Sequence, residues 1–332
     1  MTTQVDPDAV DAPLDLAEWS LHCFCLKARV TPHRVVKMDT NGRILFEGVG
    51  GVLIDELRRR GIAFTDSQLA LLADYGLIDR DGHLIETRFP VLGPTALVVV
   101  RSRTRTLAEG LLVDVSGMVQ DLVGNLASNR LEQSGYAVVF GHALDGVVWD
   151  LLRARDMLPP LDLTVETPFW RGSFWACFPG RQGSAGTNEI RENGLTLVLV
   201  WNDEMAERLA VFSSEPGLRP HLRSIDQTAM GASFASVTGE DQLVPVIHPG
   251  DSDPIHAACL EIAHVVATAI PDGFGCQDLL AEAGVATSKE DAAVIVTHEL
   301  IWDIAELLTQ SGTLVPPSAG HSVTPWVYLT SQ

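Results

Sequence analysis

The residues best suited to proton transfer are a histidine and a carboxylate in one predicted helix. His142 and Asp145 are three positions apart in the segment 136–156, and Trp149 and Arg153 continue the same stripe. An imidazole beside a carboxylate can act as a tuned general base, which makes the pair a candidate for catalysis. Such a stripe is equally typical of a solvent-facing helix surface. Trp149 favours a cleft or an interface and is a candidate ligand contact.

A second candidate for catalysis is Cys177. It lies in the alternating sequence FWACFP, which predicts a strand over 172–179. Nucleophilic cysteine catalysis requires a nearby histidine, for which His142 or His221 would serve. A buried, inert thiol is the alternative, and it is favoured because unpaired cysteine is among the most buried residue types.

A glycine-rich segment, PGRQGSAGTNEIRENG at 179–194, is predicted to be a long loop between two apolar strands. Gly183 and Gly186 would let backbone N–H groups converge on an anion, and Arg181 and Arg191 would add donors for a carboxylate or phosphate. The segment has neither the lysine of a P-loop nor a GxGxxG that opens a helix, so no nucleotide site is predicted. A ligand-binding lid and a mobile surface loop both remain open.

No metal ligand and no particular cofactor follow from the sequence. Cys23 and Cys25 form a C-x-C that lacks the second pair needed for tetrahedral zinc. Glu261 and His264 form one E-x-x-H, whereas dimetal carboxylate bundles use two. These two side chains are better explained as a polar stripe on a mostly buried helix.

The elements that would hold these residues begin at residue 95. ALVVV at 96–100 predicts a buried strand, and a dense arginine cluster follows it at 101–105. The segment 109–133 predicts an amphipathic helix, and 136–156 predicts a second helix that forms a hairpin with it. The apolar seam of the first helix consists of Leu111, Val115, Met118, Leu122 and Leu126.

Strands and further helices follow a proline-rich boundary at 158–168. Besides 172–179, strands are predicted at 194–201, with both faces buried, and at 208–212. The last part of the chain is predicted to be helical at 255–270 and 291–310.

The N-terminal part predicts a small module of helices and hairpins. A hairpin is expected over 34–46, because Asn41-Gly42 tolerates the positive φ of a tight turn. Helices are expected over 52–60 and from Thr65, where Thr65 and Gln68 would form a capping box, and glycines end both helices. A second hairpin is expected over 77–85. The segment 14–30 is ambiguous between helix and strand.

This order resembles a winged helix-turn-helix over about residues 32–89. It is similar in shape to the modules with which ribosomal-peptide-modifying enzymes bind a leader peptide. The resemblance depends on the pattern L-x3-L-x3-G-x3-T-x2-Q-L-x-L-L-x2-Y-G-L-I-x-R-D-G and implies a peptide or protein partner, with no catalytic residue. A DNA reader should present basic or amide side chains on its second helix. Here Arg80 is outnumbered by Asp66, Asp74, Asp79 and Asp81. A purely structural cap is the alternative role.

Composition limits the fold and the partners. The chain has 332 residues with 43 acidic and 23 basic side chains, and its net charge of −20 argues against nucleic acid and anionic membranes. We predict an α+β protein with a disordered acidic tail at 1–13, a winged-helix-like module at 14–93 and a larger mixed domain at 94–332. The mixed domain would contain the helical hairpin, a short sheet and C-terminal helices.

The five cysteines are odd in number and scattered, and the sequence shows neither a secretory signal nor an apolar membrane span, so a cytoplasmic location is expected. The preference for arginine over lysine is typical of GC-rich bacterial genomes. Trp170 and Trp175 are expected to be exposed, which hints at a self-interface.

Three functions are compatible with these features. An enzyme or enzyme subunit that acts on a peptide or small metabolite is preferred, and the N-terminal module would then bind its partner. The alternatives are a non-catalytic acidic binding protein and a DNA-binding regulator, and the second of these lacks a basic recognition face.

Overall fold

The structure is a computed structural model, and it describes residues 12–28, 31–160, 170–239, 241–250, 252–317, 320 and 322–331. The predicted acidic tail at 1–13 lies almost wholly outside these residues, as does most of the predicted boundary at 158–168. The protein is an α+β protein, as predicted, with several small sheets and C-terminal helices. It divides into two compact units, each built from three stretches of chain.

The first unit contains residues 1–103, 157–181 and 271–297, and the second contains 104–156, 182–270 and 298–332. This division differs from the predicted boundary near residue 94. The physical reason is strand pairing. A strand from the middle of the chain belongs to the sheet of the first unit, although the residues on both sides of it belong largely to the second unit. That strand, β6 (Trp170–Cys177), pairs antiparallel with β1 (Ser20–Ala28) and parallel with β5 (Val91–Leu92).

In the first unit, a short 3-10 helix precedes strand β1 and two short helices. Their bounds are Leu16–Glu18 for the 3-10 helix, Ser20–Ala28 for β1, Pro32–Val36 for α1 and Asn41–Glu47 for α2. The strand β1 settles the segment that the sequence left ambiguous.

The hairpin predicted over 34–46 is wrong, because Asn41-Gly42 begins a helix. Asn41 is buried, and its side-chain amide donates a hydrogen bond of 2.8 Å to the Val35 carbonyl. Gly42 lies so close to Asp15 and Ala17 that a Cβ would clash with both. Tight packing therefore explains this glycine, whereas the sequence pattern indicated a turn.

The following elements agree with the prediction, except that residues 52–53, predicted to begin a helix, form strand β2. They are β2 at Val52–Leu53, α3 at Ile54–Arg59, α4 at Asp66–Asp74, β3 at Ile78–Asp81 and β4 at Leu84–Thr87. Thr65 and Gln68 form the predicted capping box, and Gly61 and Gly76 have positive φ where the two helices end. The strands form a sheet in the order β2-β4-β3.

The core of the first unit joins this module to the β1-β6-β5 sheet. Strand β5 is Val91–Leu92 and β6 is Trp170–Cys177. Trp170, predicted to be exposed, is buried and donates a 2.6 Å hydrogen bond to the Tyr75 carbonyl. Trp175 is also buried and stacks on His22. The exposure expected for these tryptophans is therefore wrong, and they give no support for a self-interface.

The strand predicted over 96–100 is also wrong, because these residues begin the long helix α5, Pro94–Ser128. A short run of valines cannot be distinguished from a buried helical segment by periodicity alone. Val98 is 70% exposed while Leu97 and Val100 are buried, which is a helical pattern. Further along, in the second unit, Thr104 donates a 2.7 Å hydrogen bond to Asp303.

The second predicted helix begins as a π-helix. Ala137–Val147 has π-helical hydrogen bonding and continues as the α-helix α6, Val148–Ala154. The wider π-helical turn occurs mostly as a single-turn bulge and frequently at functional sites, so a stretch of this length is unusual. Both predicted proton-transfer residues lie in it.

A five-stranded mixed sheet forms the other layer of the second unit, in the order β7-β8-β11-β10-β9. The strands are β7 at Ala185–Glu192, β8 at Leu195–Asn202, β9 at Gly231–Ser233, β10 at Leu243–Ile247 and β11 at Val327–Ser331. The buried strand predicted at 194–201 is confirmed as β8. The predicted strand at 208–212 is wrong. It belongs to helix α7, Ala206–Ser213, in which Leu209 and Phe212 are buried three positions apart.

The remaining helices are α8 at Leu218–Ser224, α9 at Ala235–Thr238, α10 at Pro254–Ala269, α11 at Gly273–Glu282 and α12 at Lys289–Gln310. The helices predicted at 255–270 and 291–310 are confirmed as α10 and α12. Among the described residues, no single helix is long and apolar enough to cross a membrane, although the bent pair α10 and α11 together meets that criterion by length and composition alone.

Candidate functional site

The candidate site is built around the π-helix of the second unit, where two glycines allow strands to approach closely. A Cβ on Gly141 would lie 2.5 Å from Val200 Cγ2 and 2.9 Å from a ring carbon of Tyr328. A Cβ on Gly146 would lie 2.9 Å from the Gly141 carbonyl oxygen and 3.9 Å from the Tyr328 hydroxyl. These contacts explain why glycine occupies both positions. The absence of side chains at Gly141 and Gly146 lets the Tyr328 ring pack directly against the helix.

Both carboxyl oxygens of Asp145 accept hydrogen bonds. The indole Nε1 of Trp149 donates to Oδ1 at 2.9 Å, and the Thr187 hydroxyl donates to Oδ2 at 2.8 Å. Burial raises the pKa of Asp145 to about 6, although both hydrogen bonds act in the opposite direction. Asp145 therefore changes protonation close to neutral pH, where a carboxyl group can serve as a general acid or base.

His142 is buried and contacts a second histidine. Its Nε2 lies 3.1 Å from Nδ1 of His256, so one of the two nitrogens donates a proton to the other. Burial, together with the charge of His256, lowers the pKa of His142 to about 4, although Asp253 acts in the opposite direction. His142 is therefore neutral at pH 7, with an imidazole that can accept a proton. The alternative that the stripe faces solvent is wrong for His142 and Trp149, which are buried, whereas Arg153 at the end of the stripe is exposed.

The N-terminus of α10 positions His256. Asp253 caps this helix, because its Oδ1 accepts from the backbone N–H of Ile255 at 2.8 Å and of His256 at 3.0 Å. Its Oδ2 accepts from the backbone N–H of His248 at 2.8 Å. Asp253 thus fixes the first turn of α10, from which His256 reaches His142.

Tyr328 lies close to both proton-transfer groups. Its ring packs edge-on against His142 with 5.4 Å between centroids, and the charge of Asp145 contributes to its raised pKa, of which burial is the main cause. The same two effects raise the pKa of Tyr136 to about 12. Both phenols therefore keep their protons at neutral pH.

Aromatic packing also holds the other side of Asp145. The Trp149 ring packs on His298 at 4.6 Å between centroids, and His298 packs on Trp302 at 5.5 Å. The Trp302 indole donates a 2.8 Å hydrogen bond to the carbonyl of Ala185, at the start of β7. This chain of contacts ties Trp149 to the strand that carries Thr187.

The remaining predicted catalytic residue, Cys177, lies in the first unit and is buried at the end of β6. His142 and His221 belong to the second unit. Its role as a nucleophile stays a prediction.

The predicted loop at 179–194 is wrong beyond its first residues, because 185–192 form β7. Gly186 lies in this strand beneath Trp201, where a Cβ would be 2.6 Å from the indole ring. Arg191 is bound to Glu189 at 2.8 Å on the same strand. Gly183 has a positive φ in the short turn before β7, and Arg181 precedes that turn as the last residue of a stretch of the first unit. The four residues therefore do not form the anion cradle of one loop.

Sequence reasoning missed three contacts of the site: His256, Thr187 and Tyr328. The Asp253-Pro254 start of α10 marks a helix N-terminus and therefore places His256 in a first turn, which is a usable signal. The sequence predicts a loop at Thr187, which lies in strand β7. Tyr328 lies in a proline-rich, glycine-rich segment whose pairing with β8 is not visible in the sequence.

Within the described residues, no group of three or more histidine, cysteine, aspartate or glutamate side chains could hold a metal ion. Glu261 and His264, the E-x-x-H pair, are both exposed on α10. The chemistry that the described geometry supports is proton transfer by Asp145, His142 and His256.

Comparisons with protein-family models, with curated proteins and with solved structures find no match for this chain.

Proposed function

We propose that this protein is an acid–base enzyme, or the catalytic subunit of one, that acts on a peptide or a small metabolite. The observation that carries the proposal is the enclosed carboxyl of Asp145, held by Trp149 and Thr187 on the π-helix that also presents His142 to His256. Catalytic sites combine titratable groups whose surroundings push their pKa values in opposite directions.

The two groups suit opposite steps at neutral pH. The raised pKa of Asp145, about 6, leaves a fraction of the carboxyl protonated and able to donate. The lowered pKa of His142, about 4, keeps its imidazole neutral at pH 7, where it is a weak base that would accept a proton only to pass it on. His256 would pass that proton to or from His142 across their 3.1 Å contact.

The N-terminal module at 32–89 would act as a winged-helix-like recognition element for a peptide or protein partner. Support comes from its order of elements and from the −20 charge of the chain, which disfavours nucleic acid. A bacterial source and a cytoplasmic location belong to the same proposal. Their support is the arginine-rich composition and the scattered, odd number of cysteines.

The test replaces the gene in its source cells with variant alleles, so that any partner and substrate are present. Asp145→Asn and His142→Gln remove the two proton-transfer groups. Asp150→Asn is the matched control, because Asp150 is exposed five residues along the same helix and pairs with Arg153 at the surface. Untargeted mass spectrometry of metabolites and peptides is the measurement, with immunoblots to check protein abundance.

We expect at least one metabolite or peptide to change by about 10²-fold in both site variants and to stay unchanged in Asp150→Asn. Profiles that do not distinguish Asp145→Asn from wild type, at equal protein abundance, would contradict the enzyme proposal. That result would favour a non-catalytic acidic binding protein.

A further inference from the structure

The first unit contains a cleft of about 520 Å³ that lies outside the site described above. Its lining combines two aromatic rings, aliphatic side chains and one ion pair. The lining residues are Trp19, Phe46, Glu47, Val49, Gly51, Val52, Arg60, Val91 and Gly93. This volume falls in the range of small-molecule and side-chain binding pockets.

The ion pair in the cleft is asymmetric. The Glu47 side chain is 11% exposed, whereas that of its partner Arg60 is 48% exposed. Arg60 also donates through Nε to Glu56 at 2.8 Å, so it has a second carboxylate at hand. The enclosed Glu47 carboxylate therefore requires a cation beside it in the cleft. Arg60 does not depend on Glu47, because it also pairs with Glu56 and is about half exposed to solvent.

This asymmetry determines the charge of a ligand. An anion would have to take Arg60 from Glu47 and would leave an enclosed carboxylate unpaired, which is costly. A cation would replace Arg60 on Glu47, while Arg60 keeps Glu56 and its contact with solvent. Arg60 is about half exposed and keeps a second carboxylate, so its release from Glu47 costs little.

The aromatic lining favours one type of cation. A guanidinium group is planar and weakly hydrated, stacks on aromatic rings and binds a carboxylate through two N–H groups. Trp19 and Phe46 supply the rings, with 6.1 Å between their centroids, and Val49 and Val52 would cover an aliphatic stem. The −20 charge of the chain would also attract a basic partner.

We infer that this cleft binds the arginine side chain of a partner peptide, with the guanidinium on Glu47 in place of Arg60. The inference rests on the proposed partner-binding role of the N-terminal module. It adds the chemistry of the partner and the place where that partner binds.

The experiment is titration calorimetry of the full chain with three peptides of the form Ac-GSGXGSG-amide, in which X is arginine, citrulline or leucine. Citrulline has nearly the shape of arginine without its charge. Binding of the arginine peptide is expected to be about tenfold or more tighter than that of either other peptide, because the charged hydrogen bonds to Glu47 are lost. Equal binding of the leucine or citrulline peptide would overturn the inference.

Two cleft variants and one control variant locate the site. Glu47→Gln should weaken binding of the arginine peptide by about tenfold or more, whereas Glu86→Gln, on the exposed side of β4, should leave it unchanged. Val49→Trp would fill the cleft from a position that is 49% exposed, and it is expected to abolish binding while the fold is retained. Binding that survives both cleft variants would overturn the inference.

The outcomes separate this inference from the enzyme proposal. If the arginine peptide does not bind but the cellular product still depends on Asp145, the cleft inference is wrong and the enzyme proposal stands. If the peptide binds through Glu47 and the product is independent of Asp145, the cleft inference stands and the enzyme proposal is wrong.

Discussion

The N-terminal module and the π-helix region place their charged side chains in opposite environments. In the module, ion pairs such as Arg58 with Asp55 lie at the surface, with both side chains more than half exposed. In the π-helix region, His142 is 7% exposed and Asp145 has both carboxyl oxygens bonded. Surface pairs contribute little to stability, whereas buried groups change their pKa values. Apart from the partly enclosed Glu47, the ion pairs of the module therefore lie at the surface, whereas His142 and Asp145 are enclosed and have shifted pKa values.

The largest expected effect comes from the glycines of the π-helix. Gly141→Ala should destabilise the protein by about 2–3 kcal/mol, because the new Cβ would overlap Val200 and Tyr328. The control is Gly117→Ala in α5, where a Cβ meets nothing within 4 Å and helix propensity improves, so stability should rise by roughly 0.5–1 kcal/mol. Urea unfolding of the full chain measures both. Equal changes in the free energy of unfolding in the two variants would show that the close packing at Gly141 does not stabilise the fold.

The next effect is a dependence on pH that differs in sign between the two buried groups. The pKa of Asp145 is raised from 3.8 to about 6, so the folded state binds more protons than the unfolded state between these values. Stability from this group is complete below pH 4 and is lost as the pH rises to 6. Asp145→Asn should therefore gain roughly 2–3 kcal/mol relative to wild type between pH 4 and 7. A difference that is independent of pH would contradict this.

The contribution of His142 to stability should depend on pH in the opposite direction to that of Asp145. Its pKa is lowered from 6.5 to about 4, so the unfolded state binds more protons between these values. Stability from this group is complete above pH 6.5 and is lost as the pH falls toward 4. His142→Gln should remove that loss, which is roughly 3 kcal/mol at most. Urea unfolding at pH 5 and pH 7 measures it, and an unchanged acid dependence would show that another group is responsible.

The smallest effect lies in the module. Thr65→Ala should remove the capping box of α4 and lower stability by about 1 kcal/mol, whereas Thr65→Ser should retain the cap and most of the stability. Neither change should alter the pH dependence described above, because Thr65 belongs to the first unit. A change in that dependence would show that the two regions are coupled.

The same contrast explains what could be predicted from the sequence. Helices α3 and α4 and the following hairpin depend on local signals, namely a capping box, two terminal glycines and an Asp-Gly turn. The sequence therefore predicts these three elements correctly. The π-helix site depends on distant pairing. His256 is 114 residues from His142, and Thr187 is 42 residues from Asp145. No local pattern specifies such contacts.

Glycine gave the most misleading local signals. Asn41-Gly42 has the composition of a tight turn, but Gly42 occurs in a helix because neighbouring atoms leave no room for a side chain. Gly186 likewise accommodates Trp201 within a strand. A single sequence does not distinguish a glycine that is required for close packing from a glycine that is required for a turn.

The most direct test of the acid–base site is the pKa of Asp145, measured by 13C NMR of aspartate-labelled full-length protein, with Asp145→Asn to assign the signal. We predict a titration midpoint near pH 6. Thr187→Val should move it upward, because the Thr187 hydrogen bond lowers this pKa. A midpoint near 4 that does not respond to Thr187→Val would contradict the proposed acid–base role of this carboxyl.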